Sequence, residues 1–281
     1  MNDLILIVPS NLKNEEDVRR LAKSIDISRK IHLYFINQSV DKNLKRIYKF
    51  SACDVTEIRT NRIIPLSEAR NIALKKVYEE EYDISKTIVM FPDDDAWFPK
   101  ETIDFLLGCE ISAYAIKTID PEINKSFNKV CNKKKFVSGW HVVKDICSIC
   151  IVLPLCELKK RTALFNEQLG LGSTISQGEE SLFIYYLYKD GIKIINDGHL
   201  IYHPYKNTTN IKNYYSMSYF WALGLSHISV IFFVPFIRYL LKYTIAVVLL
   251  KKDSKYLTIF KMVWKGAFDG FKDVKGVLRE R

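Results

Sequence analysis

No glycine-rich loop follows the first apolar run of this chain. Residues 4–8 lead into Pro9-Ser10-Asn11-Leu12-Lys13, which lacks the glycines that let a phosphate loop wrap its ligand in backbone N–H groups. There is no internal repeat and no low-complexity linker, so neither a repeat array nor a string of tethered modules is indicated. No recognised nucleic-acid-binding motif accompanies the net charge of +10 and the isoelectric point near 9.1. The excess of cations therefore points first to phosphorylated small molecules or an acidic membrane face. Met1-Asn2-Asp3 passes directly into apolar residues without an export leader, so the six cysteines (53, 109, 131, 147, 150 and 156) are expected to be reduced thiols. Cys147 and Cys150 have the C-x-x-C spacing of zinc and redox sites, but no second such pair and no nearby histidine pair completes four ligands. Buried structural thiols are the expected state.

What is present is a chain able to build a core. Its 281 residues are 48% hydrophobic, which excludes disorder and suits one large α/β domain or one domain with an appendage. Residues 4–8, 31–36, 55–58 and 87–91 read as strands. Between them, 15–25 and 67–78 carry apolar residues at helical spacing, with Ser67 as the expected cap of the second helix, and 41–50 is weakly helical. Alternating strands and helices imply a mostly parallel central sheet with flanking helices. Ligands of such sheets bind beyond the C-terminal strand ends, where the loops 9–11, 37–39 and 93–95 would meet. The second half is less regular. Residues 112–119 read as a strand, 124–135 as a basic loop, 136–155 as strand-rich, 165–177 as a loop, 181–188 as a helix, and 193–196 and 199–203 as short extended pieces.

The stretch Phe91-Pro92-Asp93-Asp94-Asp95-Ala96-Trp97-Phe98-Pro99 carries the strongest chemical signal. Three adjacent carboxylates repel one another, and a turn does not require them. Divalent cations take carboxylate oxygens, and magnesium is commonly held by one or two carboxylates together with substrate phosphates. An acid in this position can otherwise serve only as solvated turn or helix cap.

Four ordered segments, spanning roughly residues 3–205, resemble the family 2 glycosyltransferases of GT-A fold. They resemble in particular the bacterial subgroup that builds capsule and other surface polysaccharides. The segments are Leu6-Ile7-Val8-Pro9-Ser10-Asn11, then Leu66-Ser67-Glu68-Ala69-Arg70-Asn71, then the Asp93-Asp94-Asp95 stretch. The fourth is the set Phe165-Asn166-Glu167, Leu169-Gly170-Leu171-Gly172, Gly178-Glu179-Glu180 and His203-Pro204. The resemblance implies a GT-A catalytic domain, placed over residues 1–220, and the residues beyond it, 221–281, are expected to form a helical, membrane-associating segment. It implies that Pro9, Ser10 and Asn11 cradle the nucleotide. Asn37 stands where many members recognise uracil with Asp. Arg70 lies against base or diphosphate, Asp93 and Asp95 hold Mn²⁺ or Mg²⁺, and Asp94 is close to ribose or sugar. His203 resembles a histidine that completes the metal or phosphate contacts in some members, against a reading as an ordinary structural histidine.

Glu179-Glu180 replaces the commoner Glu-Asp pair, whose second residue is the usual catalytic base. Glu180 is thus the expected base and Glu179 the alternative. Deprotonation of an acceptor hydroxyl needs one carboxylate within hydrogen-bond reach, and the start of a helix suits both anions. Trp140 is a candidate to stack on an acceptor sugar, or else a core residue. Lys133, Lys134 and Lys135 are candidates to meet a lipid diphosphate.

The implied activity is inverting, metal-dependent transfer of a hexosyl-type sugar from a nucleotide-sugar donor, with UDP favoured. The implied acceptor is a saccharide on a lipid diphosphate carrier. A nucleotidyltransferase and a non-catalytic, membrane-tethered sugar binder are the rival readings. The first is disfavoured by the missing glycine-rich loop.

Residues 228–250 form an apolar run long enough to cross a hydrocarbon core, which needs ~20 residues. Pro235, Arg238 and Lys242 interrupt it, and a charge at mid-bilayer costs about 2.5–3.5 kcal/mol. A helix lying in the interface keeps these cations at the headgroups, and Lys251, Lys252, Lys255, Lys261 and Lys265 follow. An interfacial or re-entrant segment at the cytoplasmic face of the cell membrane is therefore expected, ahead of a spanning helix or soluble core helices.

Overall fold

The computed structural model describes residues 1–40, 42–126, 135–204, 211–249 and 254–273. In chain order these form β1 (Asp3–Ser10), α1 (Glu15–Ile25), β2 (Ile31–Asn37), α2 (Leu44–Ile47), β3 (Asp54–Arg59), α3 (Leu66–Glu79), β4 (Thr87–Met90) and α4 (Lys100–Gly108). There follow β5 (Ala113–Asp120), β6 (Lys125–Ser126), β7 (Lys135–Phe136), α5 (His141–Lys144), β8 (Ile151–Pro154), α6 (Leu155–Arg161), α7 (Glu179–Lys189) and β9 (Ile194–Tyr202). The chain closes with α8 (Ile211–His227), α9 (Phe233–Leu249) and α10 (Ser254–Lys272).

One sheet runs β3-β2-β1-β4-β8-β5-β9-β7, with β6 on β5. The first four strands are parallel neighbours. β1 reads as a continuous apolar run because every side chain from Leu4 to Ser10 is buried, with helices on both sides of the sheet. Each such buried Leu, Ile or Val contributes about 1.5–3 kcal/mol of transfer free energy. The parallel order breaks at β8, which lies antiparallel between β4 and β5, while β5 and β9 are again parallel. The sheet is thus mixed: parallel across β3-β2-β1-β4 and between β5 and β9, antiparallel where β8, β6 and β7 join it. A four-residue apolar strand such as Ile151–Pro154 carries no directional signal in its sequence.

Other expectations change in detail. Residues 136–155 hold short pieces of strand, α5 and a 3₁₀ turn at Ser148–Cys150 rather than a strand-rich run. Among the described residues of 41–50, only Leu44–Ile47 is helical. The two extended pieces 193–196 and 199–203 are one strand, β9, whose register against β5 shifts between Ala115 and Lys117. Most of the basic loop expected over 124–135, with Lys133 and Lys134, lies outside the described residues.

Two cores share one helix. The main core fills both faces of the sheet and includes Phe183, Ile184 and Leu187 of α7. A second core takes Leu182 and Tyr185 from the other side of α7 and joins them to Phe220 and Leu223 of α8, Phe232 and Phe236 at α9, and Ile259 and Val263 of α10. α10 is fastened to α8 by Tyr215 Oη donating to Asp269 at 2.9 Å and by a second bond from Tyr219 to Asp273. Residues 220 and 221, on either side of the expected division, both lie within α8.

Candidate active site

The ends of β1, β2 and β4 are neighbours because these strands are parallel partners. Ser10 at the end of β1 donates its hydroxyl to Asp94 Oδ2 at 2.5 Å. Asp93 and Asp95 point elsewhere, because the chain turns at Asp94 and Asp95, with Ala96 N–H donating to Asp93 O at 3.1 Å. His203 Nε2 donates to Asp95 Oδ1 at 3.0 Å and lies 3.6 Å from Asp93 Oδ2. Ligand atoms of Asp93, Asp95 and His203 all fall within 4.8 Å of one another, the one such grouping of three metal-capable side chains among the described residues.

Local structure explains why a histidine some hundred residues distant arrives there. Trp97 pairs with Tyr202 through two backbone hydrogen bonds, N–H to O at 3.0 and 2.9 Å. This bridge sews the loop after the triplet to the end of β9, one residue before His203. Arg20 of α1 lies 3.7 Å over the Trp97 ring and donates to the Asp95 carbonyl at 3.3 Å. Burial pushes the His203 imidazole down, but its hydrogen bonds to Asp93 and Asp95 and their charges outweigh that and raise it to about 10.

Beneath the carboxylates lies Arg70, fully buried on α3. Its Nη2 donates to Asp93 Oδ1 at 3.2 Å and to Ser148 Oγ at 2.9 Å. Its Nη1 is 3.9 Å from Glu179 Oε1. Nε and Nη1 are buried without a hydrogen-bond partner, a costly arrangement for a guanidinium. Arg70 thus supports the site from below; with no exposed surface it does not face a ligand directly.

The start of α3 is the hub of this arrangement. Its cap is Pro65, not Ser67, and no side chain caps it. Instead Leu66 N–H donates to Leu171 O at 2.9 Å, which satisfies an otherwise orphan helix N–H from the neighbouring loop. Ser67 Oγ donates to Leu169 O at 2.6 Å. Asn71 exchanges two bonds of 2.8 Å with the backbone of Phe165 and holds Glu167 at 2.9 Å. Leu66, Ser67 and Asn71 therefore clamp the 165–171 loop beside α7. Gly170 permits this contact: its φ is +100°, and an added Cβ would lie 2.9 Å from both Glu179 Cδ and Ser67 Oγ.

Glu179 and Glu180 open α7, after Gly178. Glu179 is buried, and burial first, then the charge of Glu180, raises its carboxyl to about 7, although Arg70 opposes the shift. Glu180 is half-buried and accepts the Ser148 N–H at 2.7 Å. Ser148 therefore joins Arg70 to Glu180, a role invisible in sequence because the residue sits inside the Cys147–Cys150 pair. Those thiols are free, 3.5 Å apart, with the Cys147 sulfur donating. The bond to Cys150 and burial push Cys147 well up, and Glu180 and Asp93 add to the shift.

Several predicted residues take less direct places. Pro9 is buried in β1, and Asn11 Oδ1 accepts the Lys13 N–H at 3.1 Å. Asn37 is fully buried. Its amide group donates to Glu57 at 2.6 Å and to Lys42 O, and its oxygen accepts from Ser39 N–H at 2.9 Å. Its polar atoms shape the strand-end loop. Trp140 is not a core residue: it is half-exposed at the start of α5, stacked on His141 at 3.9 Å.

No protein-family model matches the chain, and no curated protein matches it in sequence. Solved structures do. TarS of S. aureus, residues 1–349 in complex with UDP, matches with a TM-score of 0.60 and 14% identity, over 96% of this chain and 89% of that one. Another S. aureus TarS crystal structure matches at a TM-score of 0.56 and 16% identity; it covers 80% of this chain, which spans 40% of the TarS chain. The mannosyltransferase PcManGT from Pyrobaculum calidifontis, in complex with GDP-Man and Mn²⁺, matches at 0.58 and 13% identity, over 97% and 88% of the two chains. At such identities the likeness establishes the fold, an α/β fold with a mixed sheet shared with these nucleotide- and nucleotide-sugar-binding structures.

Proposed function

We propose that this chain is an inverting, metal-dependent glycosyltransferase of GT-A type that takes its sugar from a nucleoside diphosphate donor, with UDP favoured. The observation that carries the reading is the convergence, at the strand ends, of Asp93, Asp95 and His203 with buried Arg70 and the Glu179-Glu180 pair. Mn²⁺ or Mg²⁺ would be held by Asp93, Asp95 and His203, and the imidazole nitrogen in the set favours Mn²⁺ over the oxygen-seeking Mg²⁺. When bound, such an ion neutralises charge developing on a departing diphosphate. The fold neighbours that carry UDP, and GDP-Man with Mn²⁺, support both parts of this reading.

The chain's own residues have distinct tasks. Ser10 orients Asp94 towards the ribose or sugar. Arg70 fixes the Asp93 carboxylate and counters the charge of Glu179. Asn37 holds the base-side loop in shape. Glu180 is the base: it is the more exposed of the pair, and the Ser148 N–H steadies one oxygen so that the other can accept a proton. The acceptor oxygen loses its proton to Glu180 and attacks the anomeric carbon opposite the diphosphate, so the configuration inverts in one displacement. Glu179, buried, does not reach an acceptor and acts by position.

Glu180→Gln is expected to reduce turnover by about 10²–10⁴-fold with nucleotide-sugar affinity kept within a few-fold. Turnover equal to that of the native chain would remove the base assignment.

The same reading places the protein on a membrane. Val230–Leu249 is long and apolar enough to span one by length and composition, with 22% of it buried. Leu241, Ile245 and Val248 are exposed on α9, and Leu257, Trp264 and Phe268 on α10. Arg238 and Lys242 lie one turn apart along one edge of the α9 stripe. An apolar face rimmed with cations suits a bilayer interface with anionic headgroups, at the cytoplasmic face. The acceptor is then a saccharide on a lipid diphosphate carrier.

A further inference from the structure

We propose that the seam between α5 and α9 is a subsite for a phosphate group presented at the membrane surface, with Arg238 as its principal ligand and Trp140 as its platform. The identity of the group delivered there rests on the transferase and membrane readings; the subsite itself rests on its own geometry. The Arg238 guanidinium carbon lies 5.3 Å from the Trp140 ring centroid, and Lys144 Nζ lies 4.9 Å from it. Nearby, Asp145 takes His141 Nδ1 at 2.5 Å and Lys144 Nζ at 3.4 Å, so it already engages the Lys144 ammonium. Among the described residues, no carboxylate lies within ion-pair distance of Arg238, which is exposed.

A guanidinium held against an aromatic face keeps its N–H edge outward, and that planar fork matches two oxygens of one phosphate. The position also explains a cation inside an apolar helix. Arg238 leaves the lipid-facing stripe at its edge and crosses to the catalytic domain, where it finds a ring rather than hydrocarbon. The platform is tied to the candidate base by the short segment that follows it. Ser181 Oγ of α7 donates to Val143 O of α5 at 2.7 Å, and Ser148 N–H donates to Glu180 at 2.7 Å. A phosphate seated on Arg238 therefore sits between the apolar face and the carboxylate that would deprotonate the attached saccharide. The shared chemistry is a phosphate or diphosphate ester, from a lipid-linked acceptor or from a phospholipid headgroup.

The test uses the full detergent-solubilised chain with saturating UDP and Mn²⁺, which occupy the donor site. Farnesyl diphosphate, inorganic diphosphate and farnesol are titrated against the native chain, Arg238→Gln, Arg238→Lys and Trp140→Ala. Binding to vesicles of phosphatidylcholine, with and without phosphatidylglycerol, is measured in parallel. We expect Arg238→Gln to weaken farnesyl diphosphate by about tenfold or more, Arg238→Lys to restore part of that loss, and farnesol and vesicle binding to change less than about twofold. A matching loss on phosphatidylglycerol vesicles would assign the same subsite to headgroup phosphate. Unchanged farnesyl diphosphate affinity in both Arg238→Gln and Trp140→Ala would overturn the proposal. A chain that fails to bind UDP yet shows the Arg238 effect would refute the transferase reading and leave the subsite standing.

Discussion

Asp93, Asp94 and Asp95 are adjacent in sequence but serve different neighbours. Asp94 turns to Ser10, while Asp93 and Asp95 turn to His203, with Arg70 beneath Asp93. The triplet and the glutamate pair were legible because clustered carboxylates at a strand end and at a helix start are chemically conspicuous. Ser148 was not legible, since a serine between two cysteines signals nothing until Arg70 and Glu180 close on it. Nor was the interior placement of Asn37, because a strand-end Asn reads alike whether it faces ligand or protein. Glu179 yields a prediction of defined sign. Its carboxyl is raised from 4.5 to about 7, so between those values the folded chain holds a proton that the unfolded chain has lost. Folded-state stability therefore falls as pH rises through this window. Glu179→Gln removes the titration, so its urea stability relative to the native chain should rise from pH 4.5 to 7, by on the order of 3 kcal/mol. A difference flat with pH would contradict the placement. Arg70→Lys keeps the charge but not the fork that reaches both Asp93 and Ser148. It is expected to cost about 1–3 kcal/mol of stability in denaturant melts and at least tenfold in turnover.

At the scale of elements, α3 and the loop it clamps decide where α7 presents its glutamates. Gly170 and Gly191 separate packing from backbone strain. Both have positive φ, +100° and +92°, but an added Cβ meets Glu179 and Ser67 at the first and nothing within 4 Å at the second. Gly191→Ala should therefore cost only the left-handed backbone penalty, about 1–2 kcal/mol. Gly170→Ala should cost about 1–3 kcal/mol more and lower turnover by shifting Glu179. Equal urea midpoints for the two variants would contradict the clamp. The parallel half of the sheet was legible from alternating apolar strands and amphipathic helices. The antiparallel insertion of β8 was not, because strand direction is set by connections and partners rather than by a short apolar run. The cap expected at Ser67 failed for a related reason: the loop carbonyl of Leu171, far away in sequence, serves the helix start instead.

For the whole molecule, the second core packs the C-terminal helices onto α7 and so joins them to the body of the sheet. Phe220 of α8 packs against Gly178, immediately before the glutamate pair, and Phe232, Ile259 and Val263 complete that core. Truncation before α9 would strip it, so membrane attachment is better tested by surface substitution. Leu241→Lys with Ile245→Lys changes two exposed side chains. It is expected to leave thermal unfolding nearly unchanged and to reduce sedimentation with phosphatidylglycerol-containing vesicles by about tenfold or more. Undiminished sedimentation would contradict docking through this face. The apolar run was readable as a membrane candidate from composition alone. Its anchorage on α7 was not, since that depends on which face of α8 meets which face of the catalytic domain. The central claim, metal-dependent cleavage of a nucleotide sugar at the Asp93–Asp95–His203 grouping, is tested most directly by nucleotide release. The purified full chain, in membranes that supply acceptor, is given Mn²⁺ and a panel of UDP- and GDP-sugars, with and without EDTA, beside Asp95→Asn. Nucleotide released from at least one donor, abolished by EDTA and by Asp95→Asn, is the predicted result. Release that is indifferent to metal and to Asp95, or no release from any donor, would contradict it.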